Sequence, residues 1–191
     1  MKIILGSASE RRQRILKEMG YEFEVMTADI DEKAIRHNDP RELVLMLARA
    51  KAEALLSKIK EPALLITSDQ VVFSNGKILE KPESAEEVRN NLESFTDYPP
   101  ETITSVVVTN TGNGKRVEGV NVAKVILKPI PERVILELIK QDKVFDLAGG
   151  FTIEEPLLKD YIERIEGEKE SVIGLPRVLT EKLIREVQVL P

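Results

Sequence analysis

From Ala63 to Phe73 the chain carries two apolar, β-branched runs, Ala63-Leu64-Leu65-Ile66 and Val71-Val72-Phe73, separated by Thr67-Ser68-Asp69-Gln70. This composition reads as sheet, so Asp69 is an acid placed inside a strand. A carboxylate there is poorly hydrated unless it opens onto a cleft, and acids at strand ends of α/β sheets often line ligand sites. Partial burial raises the pKa of such a group and a neighbouring cation lowers it, a competition that tunes a general base. The competing explanation is a structural Asp turn. Asn75-Gly76 is a strong hairpin signal leading to Lys77-Ile78-Leu79. Lys81, between Glu80 and Pro82, follows that hairpin and is expected near Asp69 in space as it is in sequence.

Elsewhere, Ile3-Ile4-Leu5 is a short apolar run closed by Gly6-Ser7-Ala8-Ser9, after which Ile15, Leu16 and Met19 recur at helical spacing up to Gly20. Phe23 to Met26 reads as a second strand running into Asp29-Ile30-Asp31-Glu32, and a helix follows Pro40. Leu43, Leu47, Lys51 and Leu55 share one face of that helix, with Ala50 and Ala54 beside them. Ser84 caps a helix running through Phe95, with Glu87 completing a capping box. Ile103 to Asn110 and Val117 to Leu127 form a long hairpin around Gly112-Asn113-Gly114, and Pro131 opens a helix carrying Val134, Leu138 and Ile139. Past Gly149-Gly150 the pattern is irregular until a terminal helix from Thr180. Strands and helices are interspersed but include hairpins, which predicts an α/β fold with a mixed sheet. Residues 1–191 are expected to form a single domain of two lobes, with Asp97-Tyr98-Pro99-Pro100 as the hinge.

With 33 Asp+Glu against 28 Lys+Arg the formal net charge is -5, so no overall positive field exists to hold a nucleic-acid backbone. Nucleic acid is not expected as a partner. The 42% apolar share suits a soluble globule, and no stretch approaches the ~18 uncharged apolar residues of a membrane span. The start, Met1-Lys2-Ile3-Ile4-Leu5-Gly6, turns polar and then basic at Arg11-Arg12, unlike a signal peptide, so a cytoplasmic location without a membrane partner is expected. Cysteine is absent and His37 is the only histidine. Disulfides, thiolate zinc sites and cysteine nucleophiles are thereby excluded, and a Ser-His-acid triad would rest on His37 alone, which reads as exposed surface. Any metal must be held mainly by oxygen, which points to Mg²⁺ or Mn²⁺.

Gly6-Ser7-Ala8-Ser9-Glu10-Arg11-Arg12 leaves a strand and enters a helix, so unpaired N–H groups at the positive end of the helix dipole join Ser and Arg donors in a possible anion cradle. The plainer reading is an N-cap at Ser9 and a solvated basic first turn. Lys51 rises from an apolar face and must find an anion or water, unless its stem snorkels to an edge. Asp29, Asp31, Glu32 and Asp69 are the clustered oxygen ligands, although Asp29 and Asp31 read as a solvated loop. Ser7, Arg12, Lys51, Asp69 and Lys81 together give phosphate-directed donors and one candidate base. A nucleoside triphosphate carries roughly four negative charges, of which a divalent ion offsets about two, and the cations left suit nucleotide hydrolysis.

These stretches also form an ordered set. Leu5 to Arg12 matches L-x-S-x-S-x-R-R, with Glu10 where proline is often found; Asp29-Ile30-Asp31-Glu32 matches D-[IV]-D-E; and Ala50-Lys51-Ala52 matches A-K-A. Ile66 to Val72 contains [ST]-x-D-[TQ]-V-V, and Lys81-Pro82 matches G-K-P with Glu80 in place of glycine. Ala148-Gly149-Gly150-Phe151 and Val172-Ile173-Gly174-Leu175-Pro176 match A-G-x-[YF] and V-x-G-[LM]-P. In this order they resemble the Maf family of nucleoside triphosphate pyrophosphatases over almost the whole chain.

The resemblance implies a fold similar to that of inosine triphosphate pyrophosphatases, an elongated mixed β-sheet flanked by helices with two lobes around a cleft, and a homodimer. It implies that a divalent metal and an Asp-activated water cleave a nucleoside triphosphate, a modified or non-standard one, to monophosphate and pyrophosphate. Carried over by position, Asp69 accepts the proton, Arg12, Lys51 and Lys81 stabilise charge on the phosphates, Ser7 and Ser9 bind substrate, and Glu32 and Asp69 hold the metal. Arg11, Gln70 and Glu154 fall at the base-selecting positions. The branch acting on dTTP and UTP usually has Arg, Thr and Gln there and the branch acting on 7-methyl-GTP Trp, Gln and Glu, so this chain is mixed. Glu154-Glu155-Pro156 also departs from the Q-G found in the third motif. Two other classes compete: a nucleotide-binding regulator without turnover, and a nucleotidyltransferase, whose G-x-G-x-x-R opening is missing.

Overall fold

The computed structural model describes residues 1–189. Lys2–Leu5 forms β1, buried from Ile3 on, and runs parallel to β3 (Ala63–Ser74), with Lys2 opposite Ala63 and Leu5 opposite Ile66. Parallel neighbours need a crossover. This one contains α1 (Glu10–Glu18), the short β2 (Glu24–Val25), a 3₁₀ turn (Glu32–Ala34) and α2 (Pro40–Leu56). Each helix starts at a side-chain cap: Ser9 accepts the Arg12 N–H, and Asp39 accepts the Arg41 N–H just ahead of Pro40. Helix α2 buries Leu43, Val44, Leu47, Ala48, Ala52 and Leu55. The alanines that pack are thus Ala48 and Ala52, in the row begun by Val44, while Ala50 and Ala54 are half-buried.

Strand β3 turns at Asn75-Gly76, where both residues take positive φ (48 and 73), into β4 (Lys77–Leu79), its antiparallel partner. Helix α3 (Ala85–Ser94) is capped by Ser84, but the Glu87 carboxylate accepts the Glu83 N–H, one residue ahead of the capping-box expectation. The long hairpin is β5 (Glu101–Asn110) and β6 (Arg116–Leu127), followed by α4 (Glu132–Lys140). One mixed sheet results, in the order β2-β1-β3-β5-β6-β7 with β4 on β3, where β7 is Ile162–Glu166; α5 (Lys169–Ile173) and α6 (Arg177–Val189) complete the chain.

The stretch after Gly150 holds more regular structure than its pattern predicts. Strand β7 pairs antiparallel with β6, Ile165 opposite Val125 and Ile162 opposite Leu127, which leaves Glu163 over at a bulge. The extra residue lets Ile162 and Ile165 both pack on the core, so the two-residue alternation that marks a strand is absent from the sequence.

The chain divides into two compact units: Met1–Gln70 with Thr104–Asn121 and the stretch from Gly174 on, and Val71–Ile103 with Val122–Ile173. It passes between them inside β3, β5 and β6 and again after Ile173, whereas Pro99-Pro100 lies within the second unit. In the first, Ile4, Ala52, Leu55, Ala63 and Leu65 form a core between α2 and the parallel strands. The core of the second gathers Val88, Leu92, Ile135 and Leu138 around Phe95 and Phe151, whose rings meet edge-on at 5.3 Å. Among the described residues no helix is long and apolar enough to cross a membrane.

Candidate active site

Within the first unit, the chain leaving β1 stays against β3: Gly6 donates its N–H to the Ile66 carbonyl at 2.7 Å. A Cβ on Gly6 would stand 2.6 Å from Thr67 Cγ2 and 2.9 Å from Leu55 Cδ1, so the close approach requires glycine. The loop then folds on its own hydroxyls. Buried Ser7 accepts the Ser9 N–H at 3.2 Å, and Ser9 accepts the Arg12 N–H at 3.4 Å. Ser9 is therefore the helix cap, as the plainer sequence reading has it, and its hydroxyl proton remains to be donated.

Arg12 does not point into solvent. Its Nε donates to the Gly174 carbonyl at 2.9 Å, and its Nη1 to the Ser68 carbonyl at 2.8 Å and to Ser7 Oγ at 3.4 Å. Burial pulls the guanidinium's pKa down and the charges of Asp69 and Glu32 push it up, yet an arginine remains charged in a protein. Held by carbonyls rather than by a carboxylate, Arg12 keeps a net positive charge to offer.

Lys51, 13% exposed at its side chain, finds anions rather than an escape to the edge: Nζ donates to Asp69 Oδ1 and, at 2.8 Å, to Glu32 Oε1. Asp69 is buried. Burial pushes its pKa above the ordinary carboxylate value, Lys51 and then Arg12 pull it back, and Glu32 adds a smaller upward push. Glu32 begins the 3₁₀ turn that Asp31 caps by accepting the Lys33 and Ala34 N–H groups. Asp31 is thus spent on backbone. Among the described residues no three Asp, Glu or His side chains group as metal ligands, so neither Asp29 nor Asp31 extends the Glu32–Asp69 pair.

That pair still fits a divalent cation in its donor chemistry. Two carboxylate oxygens already converge on one cationic atom, and Mg²⁺ is commonly held by one or two carboxylates plus substrate oxygens. A cavity of about 200 Å³ lies beside them, lined by Gly6, Ser7, Arg12, Glu32 and Lys51 among others; Asp69 meets it through its ion pair with Lys51. Arg11 stands half-buried in the first turn of α1, and Gln70, next after Asp69, donates from Nε2 to Thr104 Oγ1 at 3.0 Å.

The first unit thus brings Ser7, Ser9, Arg12, Glu32, Lys51 and Asp69 together, with Gln70 following in the strand. Lys81 and Glu154 belong to the second unit, where both are exposed; Lys81 precedes buried Pro82. Sequence reasoning missed four supports: the Ser68 and Gly174 carbonyls on Arg12, and the hydroxyls of Thr67 and Ser105. The available signals were small hydroxyl residues inside apolar strands and a glycine, Gly174, whose φ of 130 side chains rarely adopt.

The family profile described as "Maf-like protein" matches residues 2–187. The chain belongs to the Maf-like family. A 7-methyl-GTP pyrophosphatase of Dictyostelium discoideum is 46% identical over 192 residues, covering 97% of this chain and 96% of its own. A dTTP/UTP pyrophosphatase of Clostridium perfringens is 35% identical over 177 residues, 92% of each chain. Among solved structures, a nucleoside-triphosphatase (dITP/XTP pyrophosphatase) of Mycobacterium abscessus covers 100% of both chains at 12% identity and a TM-score of 0.44.

Proposed function

We propose that this Maf-like protein is a nucleoside triphosphate pyrophosphatase, cleaving a modified or non-standard triphosphate between its α and β phosphates to release monophosphate and pyrophosphate. The observation that carries this reading is a buried carboxylate paired with Lys51, in the field of Arg12, beside a cavity walled by the Gly6–Ser7 loop. The names of the Dictyostelium and Clostridium relatives support it.

Each group has a task its geometry suits. The N–H groups opening α1 and the Ser7 and Ser9 hydroxyls donate to phosphate oxygens at the positive end of the helix dipole. Arg12, fixed by its two carbonyl partners, opposes the charge that grows on the phosphates without first having to reorganise. Lys51 neutralises the same charge from α2 while keeping Asp69 ionised. Asp69 then accepts the proton of the attacking water. A bound Mg²⁺ or Mn²⁺, held by Glu32 and Asp69, supplies Lewis-acid charge neutralisation.

Assay against 7-methyl-GTP, dTTP, UTP and unmodified triphosphates, scoring pyrophosphate and orthophosphate separately, tests the reaction. 7-methyl-GTP leads the panel because Gln70 and Glu154 agree with that branch and the relative named for it is 46% identical. Pyrophosphate is the expected first product; orthophosphate alone defeats the proposal. Asp69→Asn is expected to lower turnover by about 10²–10⁴-fold while nucleotide affinity, measured calorimetrically, changes far less. A regulator without turnover would have no hydrolysis to lose.

A further inference from the structure

Thr67 and Ser105 are fully buried, and their hydroxyls reach away from the sheet to the same helix. Thr67 Oγ1 donates to the Ala48 carbonyl at 2.8 Å. Ser105 Oγ donates to the Val44 carbonyl at 2.7 Å and accepts the Asp69 N–H at 3.3 Å. Both carbonyls lie in the interior of α2, where each already has its helical N–H partner four residues on. Deleting either hydroxyl therefore orphans no helix carbonyl, and what the two bonds contribute is placement.

The acceptors have a telling spacing. Val44, Ala48 and Lys51 stand at i, i+4 and i+7, on one face of α2. The two fixed points are one turn apart on the very stripe that carries the ammonium. Ties at both points resist rolling of the helix about its axis and sliding along it. The strand end of the arrangement is equally tied: Thr67 precedes Asp69 by two residues, on the same face of β3, and Ser105 holds the Asp69 amide itself.

We propose that Thr67 and Ser105 are positioning residues, a hydroxyl clamp that fixes the roll and register of α2 so that Lys51 meets Asp69. Neither touches substrate; Thr67 acts through Lys51, and Ser105 through both Lys51 and the Asp69 amide. The consequence for turnover rests on the pyrophosphatase reading above, whereas the consequence for Lys51 does not.

Two measurements separate these. Reductive methylation followed by mass spectrometry compares Lys51 with exposed Lys58, just past the end of the same helix. Thr67→Val, which keeps the shape, and Ser105→Ala should each raise the Lys51:Lys58 rate ratio by about 2- to 10-fold, the effect of one lost hydrogen bond. Thr67→Ser, which keeps the hydroxyl, should return the ratio to the parent value. In the kinetic arm, Thr67→Val should lower kcat by about 10- to 100-fold with a smaller change in KM, again rescued by Thr67→Ser, and should add nothing further when Lys51→Met is already present. An unchanged labelling ratio in both hydroxyl-free variants overturns the clamp, as does an equal kcat loss with and without Lys51. If the parent protein turns over no nucleotide, the pyrophosphatase reading falls and the labelling ratio alone decides the clamp. Should one hydroxyl-free variant fail to fold, the labelling ratio of the other decides it.

Discussion

Asp69 stands where burial and two cations oppose each other, and burial prevails, so its pKa lies above the ordinary carboxylate value. In the proposed reaction Asp69 is the base and must be ionised, so kcat/KM is expected to fall toward acid at a pH above the usual value of about 3.9. Lys51→Met removes the largest downward pull and should move that acid limb further up; pH–rate profiles of the two proteins check it. Stability follows the opposite sense. A carboxyl with a raised folded pKa contributes fully below its unfolded pKa, and the contribution is lost as pH rises through the folded value. The melting temperature of Asp69→Asn, which does not titrate, should therefore gain on the parent as pH rises across that window, and a gap independent of pH would contradict the assignment. Asp69 and Lys51 were legible in the sequence because each breaks an apolar pattern. Their pairing was not, since it spans 18 residues and depends on the rotation of α2, which hydrogen bonds to Thr67 and Ser105 set.

The elements were readable wherever their repeat is unbroken. Helix α2 and the hairpins announce themselves through apolar spacing and turn residues; β7 does not, because its bulge at Glu163 puts Ile162 and Ile165 three apart on one face. The junction of β1, β3 and α2 at Gly6 is a packing constraint that only coordinates reveal. Gly6→Ala should destabilise the protein by about 1–3 kcal/mol, the usual cost of overpacking, as measured by denaturant unfolding. Much of the conflict is with the Thr67 methyl, so Thr67→Ser should recover part of the loss when combined with Gly6→Ala. Strict additivity of the two would refute that source of strain.

Neither compact unit is continuous in sequence, and the first needs the stretch from Gly174 on. Helix α6 in that stretch buries Leu183, Ile184 and Val187. At about 1.5–3 kcal/mol for each large apolar side chain buried, ending the chain at Ile173 removes a large share of a typical total of about 5–15 kcal/mol. The shortened protein is expected to lose its cooperative melting transition, followed by circular dichroism; a sharp transition within a few degrees of the parent would show that α6 is dispensable. The same stretch supplies the carbonyl that aims Arg12 across 162 residues. The guanidinium thus takes its bearing from a glycine far along the chain. Disturbing the Gly174 turn would therefore redirect Arg12 without altering its charge.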